Sequence, residues 1–382
     1  MRWWWTCRGS GSDQCLPDGP VRRSAACWRS GWRRRCVLWA GLLALTLLAA
    51  CAPADPGQAL LQDYIDRVAR VVDGDAVDLD DVRLQGWPRR RHRVLEVPPQ
   101  RTGLGRFLSL HRCDLGPLIG ERSSQLGRVM TASQRLSYEH RFLLAAQQCL
   151  DRLEGDERRA ALREALAEVV AEKREYLPEL AWNATMGHDT LAAVHALDVA
   201  ALPPGEAADR GQVATASLQQ LAERVPLLGT PALSLHDWNE PWEVLQGSPF
   251  GGEARRSLVL LTRALDQAAT LLERRQAERP LCPQGLPTPR AETLNNVFTR
   301  YYAAEVQPWL ANVHRGYGRW LQALEGLLAA QLVAPPEVMA RYHEDVLRAE
   351  WDAYISARDR HTEVWQEVLQ GCDLAPRPPG RS

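Results

Sequence analysis

The sequence predicts an all-α fold, an elongated multi-helix bundle of long amphipathic helices with no significant sheet. Three observations carry that reading. Apolar residues recur at helical spacing almost throughout residues 102–382, and no comparable tract alternates with period two. Pro- and Gly-rich interruptions at 203–205, 226–231, 247–252 and 280–289 divide the pattern into pieces of helix length. With 382 residues, 45% of them hydrophobic, the chain is long enough to bury a sizeable core.

Taken in order, Asp55 as N-cap and Pro56 at the first helical position open a helix whose Leu60, Leu61, Tyr64, Ile65, Val68, Val71 and Val72 share one face. Residues 73–101 lose the pattern and read as a linker loop. It passes from an acidic stretch (Asp73, Asp75, Asp78, Asp80, Asp81) to a basic one, Arg89, Arg90, Arg91, His92 and Arg93. Such a basic run is ordinarily solvated, and its functional alternative is contact with an anionic envelope surface. Leu136, His140, Leu143, Ala146, Leu150 and Leu153 mark the next long helix. Leu162, Leu166, Val169, Lys173 and Leu177 mark another, ended by Pro178. Leu258, Leu261, Leu265, Ala268 and Leu272 lie on a helix between Glu253 and Ala277. The stretch from Arg290 to Ala330 is the longest, with a kink expected at Pro308. A last helix follows Pro335 and Pro336 and runs to Gln370. The body, 102–382, divides for convenience into sub-bundles 102–230 and 231–382.

The N-terminus reads as an address. Arg33, Arg34 and Arg35 precede an apolar run from Val37 to Ala50, the length of a signal-peptide core and too short to span a bilayer. Leu48, Ala49 and Ala50 stand immediately before Cys51, and this resembles the lipobox of bacterial lipoproteins. The resemblance implies cleavage after residue 50, acylation of Cys51 with palmitate-type chains, and, with Ala52 next, an outer-membrane anchor facing the periplasm. Residues 51–101 then comprise the lipid anchor, the first helix and the linker loop. Residues 1–30 exceed an ordinary signal n-region, so translation is expected to start later, for instance at Val21.

Nine cysteines reduce to four once the signal and Cys51 are set aside: Cys113, Cys149, Cys282 and Cys372. In an oxidising compartment an even set without C-x-x-C spacing reads as two disulfides. Pairing Cys113 with Cys149 and Cys282 with Cys372 closes each loop within one half of the chain. Charge narrows the partners. The first 50 residues hold eight Arg and two Asp, leaving 38 basic against 45 acidic side chains from Cys51 onward. Nucleic-acid binding therefore lacks electrostatic support. Lys173 is the single lysine, which argues against Schiff-base chemistry.

Catalytic motifs fail in turn. There is no H-E-x-x-H, G-x-S-x-G, Walker A loop or dinucleotide fingerprint, and no histidine has Glu three residues before it as a di-iron bundle requires. His188 and His195 read as a surface or packed pair, and no metal or cofactor is expected. In the last helix Arg358 and His361 interrupt the apolar stripe of Leu347, Trp351, Tyr354, Ile355, Trp365 and Leu369. A buried Arg358 would need an acidic partner, or else its stem snorkels to water.

Three segments carry a further resemblance: Glu121-Arg122-Ser123-Ser124-Gln125-Leu126-Gly127-Arg128-Val129, Leu180-Ala181-Trp182-Asn183-Ala184-Thr185, and Asn296-Val297-Phe298-Thr299-Arg300-Tyr301-Tyr302 followed by Val306-Gln307-Pro308. Together with the lipobox they resemble the proteobacterial lipoprotein family called domain of unknown function 3080, over about Leu60 to Cys372. That resemblance implies no activity. Physically, the first segment reads as a helix end, with Gly127 at positive φ, Arg128 on the last carbonyls, and Glu121 and Arg122 in reach of other helices. Asn183 and Asn296 need partners for their amides, and with Tyr301 and Tyr302 they form a candidate polar network, either a structural lock or a ligand site. The leading expectation is a non-enzymatic scaffold, binding or assembly factor with an envelope protein partner. The alternatives are an enzyme using Glu121 or His361 as acid or base on an envelope substrate, and a carrier whose hydrophobic ligand is lined by Trp238, Trp242, Trp309, Trp320, Trp351 and Trp365.

Overall fold

Asp55 opens the helical body with three hydrogen bonds. Its carboxylate accepts from Gln58 N–H (3.1 Å), which caps the first helix, and from Ala201 N–H and Arg256 Nε (2.9 Å each). The computed structural model describes residues 55–97, 113–205 and 210–375. Cys51 and the apolar run before it lie outside them.

The helices are α1 (Pro56–Val72), α2 (Gly116–Ser123), α3 (Ala132–Arg152), α4 (Ala160–Glu175), α5 (Leu177–Ala184), α6 (Gln212–Arg224), α7 (Leu235–Gln246), α8 (Phe250–Glu278), α9 (Pro289–Val297), α10 (Gln307–Ala329) and α11 (Ala349–Gly371). Shorter helical turns occupy Arg90–Arg93, Gln125–Arg128, Asp189–Val194 and Glu337–Tyr342. No strand occurs among the described residues, so the all-α expectation holds. No helix among them is long and apolar enough to cross a membrane.

Helix α8 is the central rod. Its Leu258, Leu261, Leu265, Ala268 and Leu272 are fully buried, and α1, α10 and α11 pack along it. Each such leucine contributes roughly 1.5–3 kcal/mol on burial. Gly252 lets α8 approach the turn after Asp189–Val194, since a Cβ there would strike the Ala196 carbonyl oxygen. Helix α6 lies against α7 and α10, so close packing runs across residue 230, where the chain had been divided for convenience. Helices α2, α4 and α5 gather on α3. The Cys113–Cys149 and Cys282–Cys372 disulfides are both present, with Cα atoms 5.6 and 5.3 Å apart.

Two features differ from the sequence reading. The stretch expected as a linker is, over residues 73–97, a strap pinned to the body. Arg93 is buried, donating to Pro88 O (2.9 Å) and Gly187 O (3.2 Å) and pairing with Asp189, while Arg90 also reaches Asp189 (2.8 Å). The basic run is therefore partly used in holding the chain down. In place of a simple kink at Pro308, a π-helical segment Phe298–Val306 joins α9 to α10. Pro308 has no N–H, and its ring would crowd the Ala304 carbonyl of a regular helix. Widening the preceding turns, with Gln307 N–H bonded to Tyr302 O, relieves that conflict. A second π segment, His343–Arg348, precedes α11.

Candidate functional site

The three motif segments each do separate work. In the first, Gly127 is not at positive φ. It lies in the turn Gln125–Arg128, where its N–H donates to Ser124 Oγ (3.0 Å). A Cβ at Gly127 would meet the Glu121 and Arg122 carbonyls, so glycine is required for close approach. Side chains that bond carbonyls here are Arg122, onto Gly127 O, Ser123 Oγ, onto Ile119 O (2.8 Å), and Ser124 Oγ, onto Glu121 O (2.7 Å), whereas Arg128 is exposed. Glu121 pairs with Arg141 (2.6 Å) near the surface.

In the second segment Asn183 acts as a two-point clamp. Its Oδ1 accepts from Leu95 N–H (2.7 Å) and its Nδ2 donates to Leu95 O (2.8 Å), while Trp182 Nε1 donates to Arg93 O (2.7 Å). The amide of Asn183 thus satisfies strap backbone that would otherwise be buried without partners. The expected network of Asn183 with Asn296, Tyr301 and Tyr302 does not form. Asn296 is exposed on α9, and Tyr301 stands half-buried beneath the Arg67 guanidinium, 3.8 Å from its ring centre. Helical register sends these residues to different faces. His188 caps the turn Asp189–Val194 and lies beside Trp242, whereas His195 is buried, so they are not a pair.

The third segment builds a cleft. Its π-helical wall presents Phe298 and Tyr302, and the facing wall of α11 presents His361, Trp365 and Leu369; the rim carries Gln307, Thr362, Gln366 and Gln370. The cavity measures about 460 Å³. Tyr302 lies 4.6 Å from the His361 ring and Phe298 4.9 Å from Trp365. Behind them Tyr64 of α1 bonds His361 Nε2 (2.7 Å), and Trp365 Nε1 donates to both Tyr64 Oη and His361 Nε2 (3.0 Å each). The arrangement fixes the tautomer. An indole N–H only donates, and the Tyr64 hydroxyl needs an acceptor for its hydrogen, so Nε2 accepts and the proton sits on Nδ1. Nδ1 has no hydrogen-bond partner among the described residues, although His361 is fully buried. Burial holds the His361 pKa down at about 3 and pushes Tyr302 up to about 12. Arg358 is part-exposed and paired with the acidic Asp359 beside it (2.6 Å), so it both reaches water and has an acidic partner.

Polar groups that sequence reasoning passed over form locks elsewhere. Lys173 is buried, 2.6 Å from Glu139 Oε2, with Arg135 on the other carboxylate oxygen (2.7 Å) and Phe142 beneath it. Desolvation lowers its pKa against the pull of Glu139. Arg255 is equally deep, with both Glu350 oxygens (2.7 and 2.6 Å), Gln85 O (2.7 Å) and Tyr342 Oη (3.0 Å) around it. The lone lysine on an apolar stripe was the available signal for the first; nothing marked Arg255. Of the six tryptophans offered as carrier lining, Trp238, Trp242, Trp309, Trp320 and Trp365 are buried core, and Trp365 also faces the cleft. Among the described residues no group of three His, Cys, Asp or Glu is disposed to hold a metal.

Fold, disulfides and cleft define a disulfide-bonded, all-helical protein. Residues 61–376 match the family described as "Protein of unknown function (DUF3080)", and the chain belongs to that family. No curated protein and no solved structure matches it.

Proposed function

We propose that this chain is an outer-membrane lipoprotein facing the periplasm, whose helical body binds an envelope component as a scaffold or assembly factor. The observation that carries the compartment is Leu48-Ala49-Ala50 before Cys51 at the end of a 14-residue apolar run. Two disulfides in the body agree with an oxidising compartment. Binding is favoured over catalysis by the protonation of the cleft. His361, held near pKa 3, and Tyr302, pushed to about 12, do not exchange protons readily near neutral pH, where a general acid or base is poised. Glu121, the other acid–base candidate, is tied to Arg141 away from this cleft.

The test is metabolic labelling with a palmitate analogue, followed by envelope fractionation, on the wild type and on Cys51→Ala. Label and outer-membrane recovery are expected for the wild type, and both are lost in the variant. Unlabelled wild-type protein in the soluble cytosolic fraction would overturn the reading. Crosslinking in whole cells then identifies the component bound.

A further inference from the structure

Resting on the reading of Cys51 as the lipid carrier, we infer that the side of the body around the first turn of α1, continued by the start of α6 and the exposed side of α10, docks on the headgroup layer of the anchoring membrane through lipid phosphates. Covalent reach comes first. Three residues, Ala52 to Ala54, separate Cys51 from Asp55. A fully extended chain advances at most about 3.5 Å per residue, so the Asp55 Cα stands no farther than about 14 Å from that of the acylated cysteine. Asp55 in turn is fixed to the body. Its carboxylate accepts from Gln58 N–H, Ala201 N–H and Arg256 Nε, and its side chain is only 13% exposed. The tether is thus shorter than α1, whose 17 residues span about 25 Å, and it restrains the near end of that helix and not the far one.

Packing says what lies at the near end. A Cβ at Gly57 would meet Trp309 and Ala201, and Trp309 Nε1 donates to Leu202 O (2.9 Å). Trp309 and Leu202 share a hollow with Arg210 and Gln212 at the start of α6 and with Asn312 and Arg319 of α10. Guanidinium groups reach water around it. Arg210, which pairs with Glu253 (2.9 Å), and Arg319 are exposed, and so is Arg315, one turn from Arg319, which donates to the neutral amide oxygen of Asn312 (2.7 Å). The planar fork of an arginine matches phosphate oxygens, and a cation within a Debye length of an anionic leaflet is drawn towards it. Acylation supplies what such weak contacts lack. A short tether holds these groups beside the headgroups at high effective concentration, so contacts too weak to bind a free body suffice to orient a tethered one.

The test uses the full-length protein, purified with its lipid and reconstituted into vesicles of phosphatidylethanolamine and phosphatidylglycerol that contain a nitroxide-headgroup lipid as quencher. A fluorophore is attached at Val213→Cys, next to Gln212 and 68% exposed, or at Leu286→Cys, 65% exposed in the loop before α9, where Arg290 reaches Asp73 at the far end of α1. Quenching is expected at position 213 and not at 286. Arg315→Glu/Arg319→Glu, two exposed changes outside the core, should lower the docking equilibrium about tenfold or more and bring quenching at 213 down to the level at 286. Equal quenching at the two positions, in protein shown by mass spectrometry to carry its lipid, would overturn the docking and leave the lipoprotein reading intact. Unaltered quenching at 213 in the charge-reversed protein would sink the phosphate contacts. Protein that carries no lipid would remove both readings together.

Discussion

His195 and His361 pose the same physical problem in two parts of the body. Both imidazoles are buried, each receives the indole N–H of a core tryptophan on Nε2, Trp320 for His195 (3.3 Å) and Trp365 for His361 (3.0 Å), and burial holds both pKa values down, at about 4 and about 3. They part at the other nitrogen. His195 Nδ1–H donates to Leu191 O (2.8 Å), and its ring stacks on Trp87 at 4.4 Å, so the group is complete within the protein. His361 Nδ1–H has no acceptor among the described residues, although it is equally buried. Depth and neutrality are common to both, so neither separates a lock from a site. The unfilled hydrogen bond does.

The largest effect expected of any test of this contrast comes from the crosslink beside the cleft. Cys372 follows the turn of α11 that carries Gln366, Leu369 and Gln370, and it joins Cys282 across 90 residues. In the Cys282→Ala/Cys372→Ala variant, loop entropy predicts a loss of about 5 kcal/mol in urea unfolding. Hydrogen exchange should rise in the last turns of α11 while Leu191–His195 stays protected. Equal loosening at both places would erase the distinction between the regions. Acid comes next. Each histidine is protonated in the unfolded chain below about pH 6.5 but resists protonation in the native state until about pH 4 or 3. Stability is therefore complete above the unfolded value and is lost as pH falls through this window. By pH 5 the loss is about 2 kcal/mol for each histidine, about 4 together. Denaturant midpoints between pH 7.5 and 5 measure it, and a flat profile would show that one or both rings are not sealed from water.

Much of this was legible before the fold was known, and unevenly so. Asp55, Pro56 and the α1 stripe were written in local chemistry, as was His361, a polar residue interrupting the stripe of Trp351, Tyr354 and Trp365. What could not be read were partners far along the chain. Tyr64 and His361 are 297 positions apart, and Asn183 meets Leu95 across 88, so neither amide nor imidazole announced its contact. Asn296 shows the reverse failure. An Asn in a helical pattern suggested an internal partner, but its register places it outside. Lys173 falls on an apolar stripe in the sequence, and spacing alone does not reveal that Glu139 waits opposite. The π segment escaped because Pro308 predicts a disturbance without saying whether the helix bends or widens.

The smallest effects sharpen the contrast most. His195→Phe strands the Trp320 N–H, whereas the Leu191 carbonyl keeps the backbone N–H of residue 195 (3.3 Å), and one buried donor left unpaired amounts to about 1–3 kcal/mol. His361→Phe leaves less undone. Trp365 N–H keeps Tyr64 Oη as its acceptor at 3.0 Å, only the Tyr64 hydrogen loses its partner, and the unfilled Nδ1–H disappears with the ring. The net loss near neutral pH should be about 1 kcal/mol. The phenyl ring also removes that residue's share of the acid loss, which reaches about 2 kcal/mol at pH 5. The two effects have opposite sign, so His361→Phe should be less stable than the wild type at pH 7.5 and more stable at pH 5, while His195→Phe should not overtake the wild type before lower pH. Urea melts of both variants at the two pH values decide it. If His361→Phe is as damaging as His195→Phe near neutrality, the Nδ1 of His361 is already satisfied within the fold, and the cleft loses the feature that sets it apart from the core.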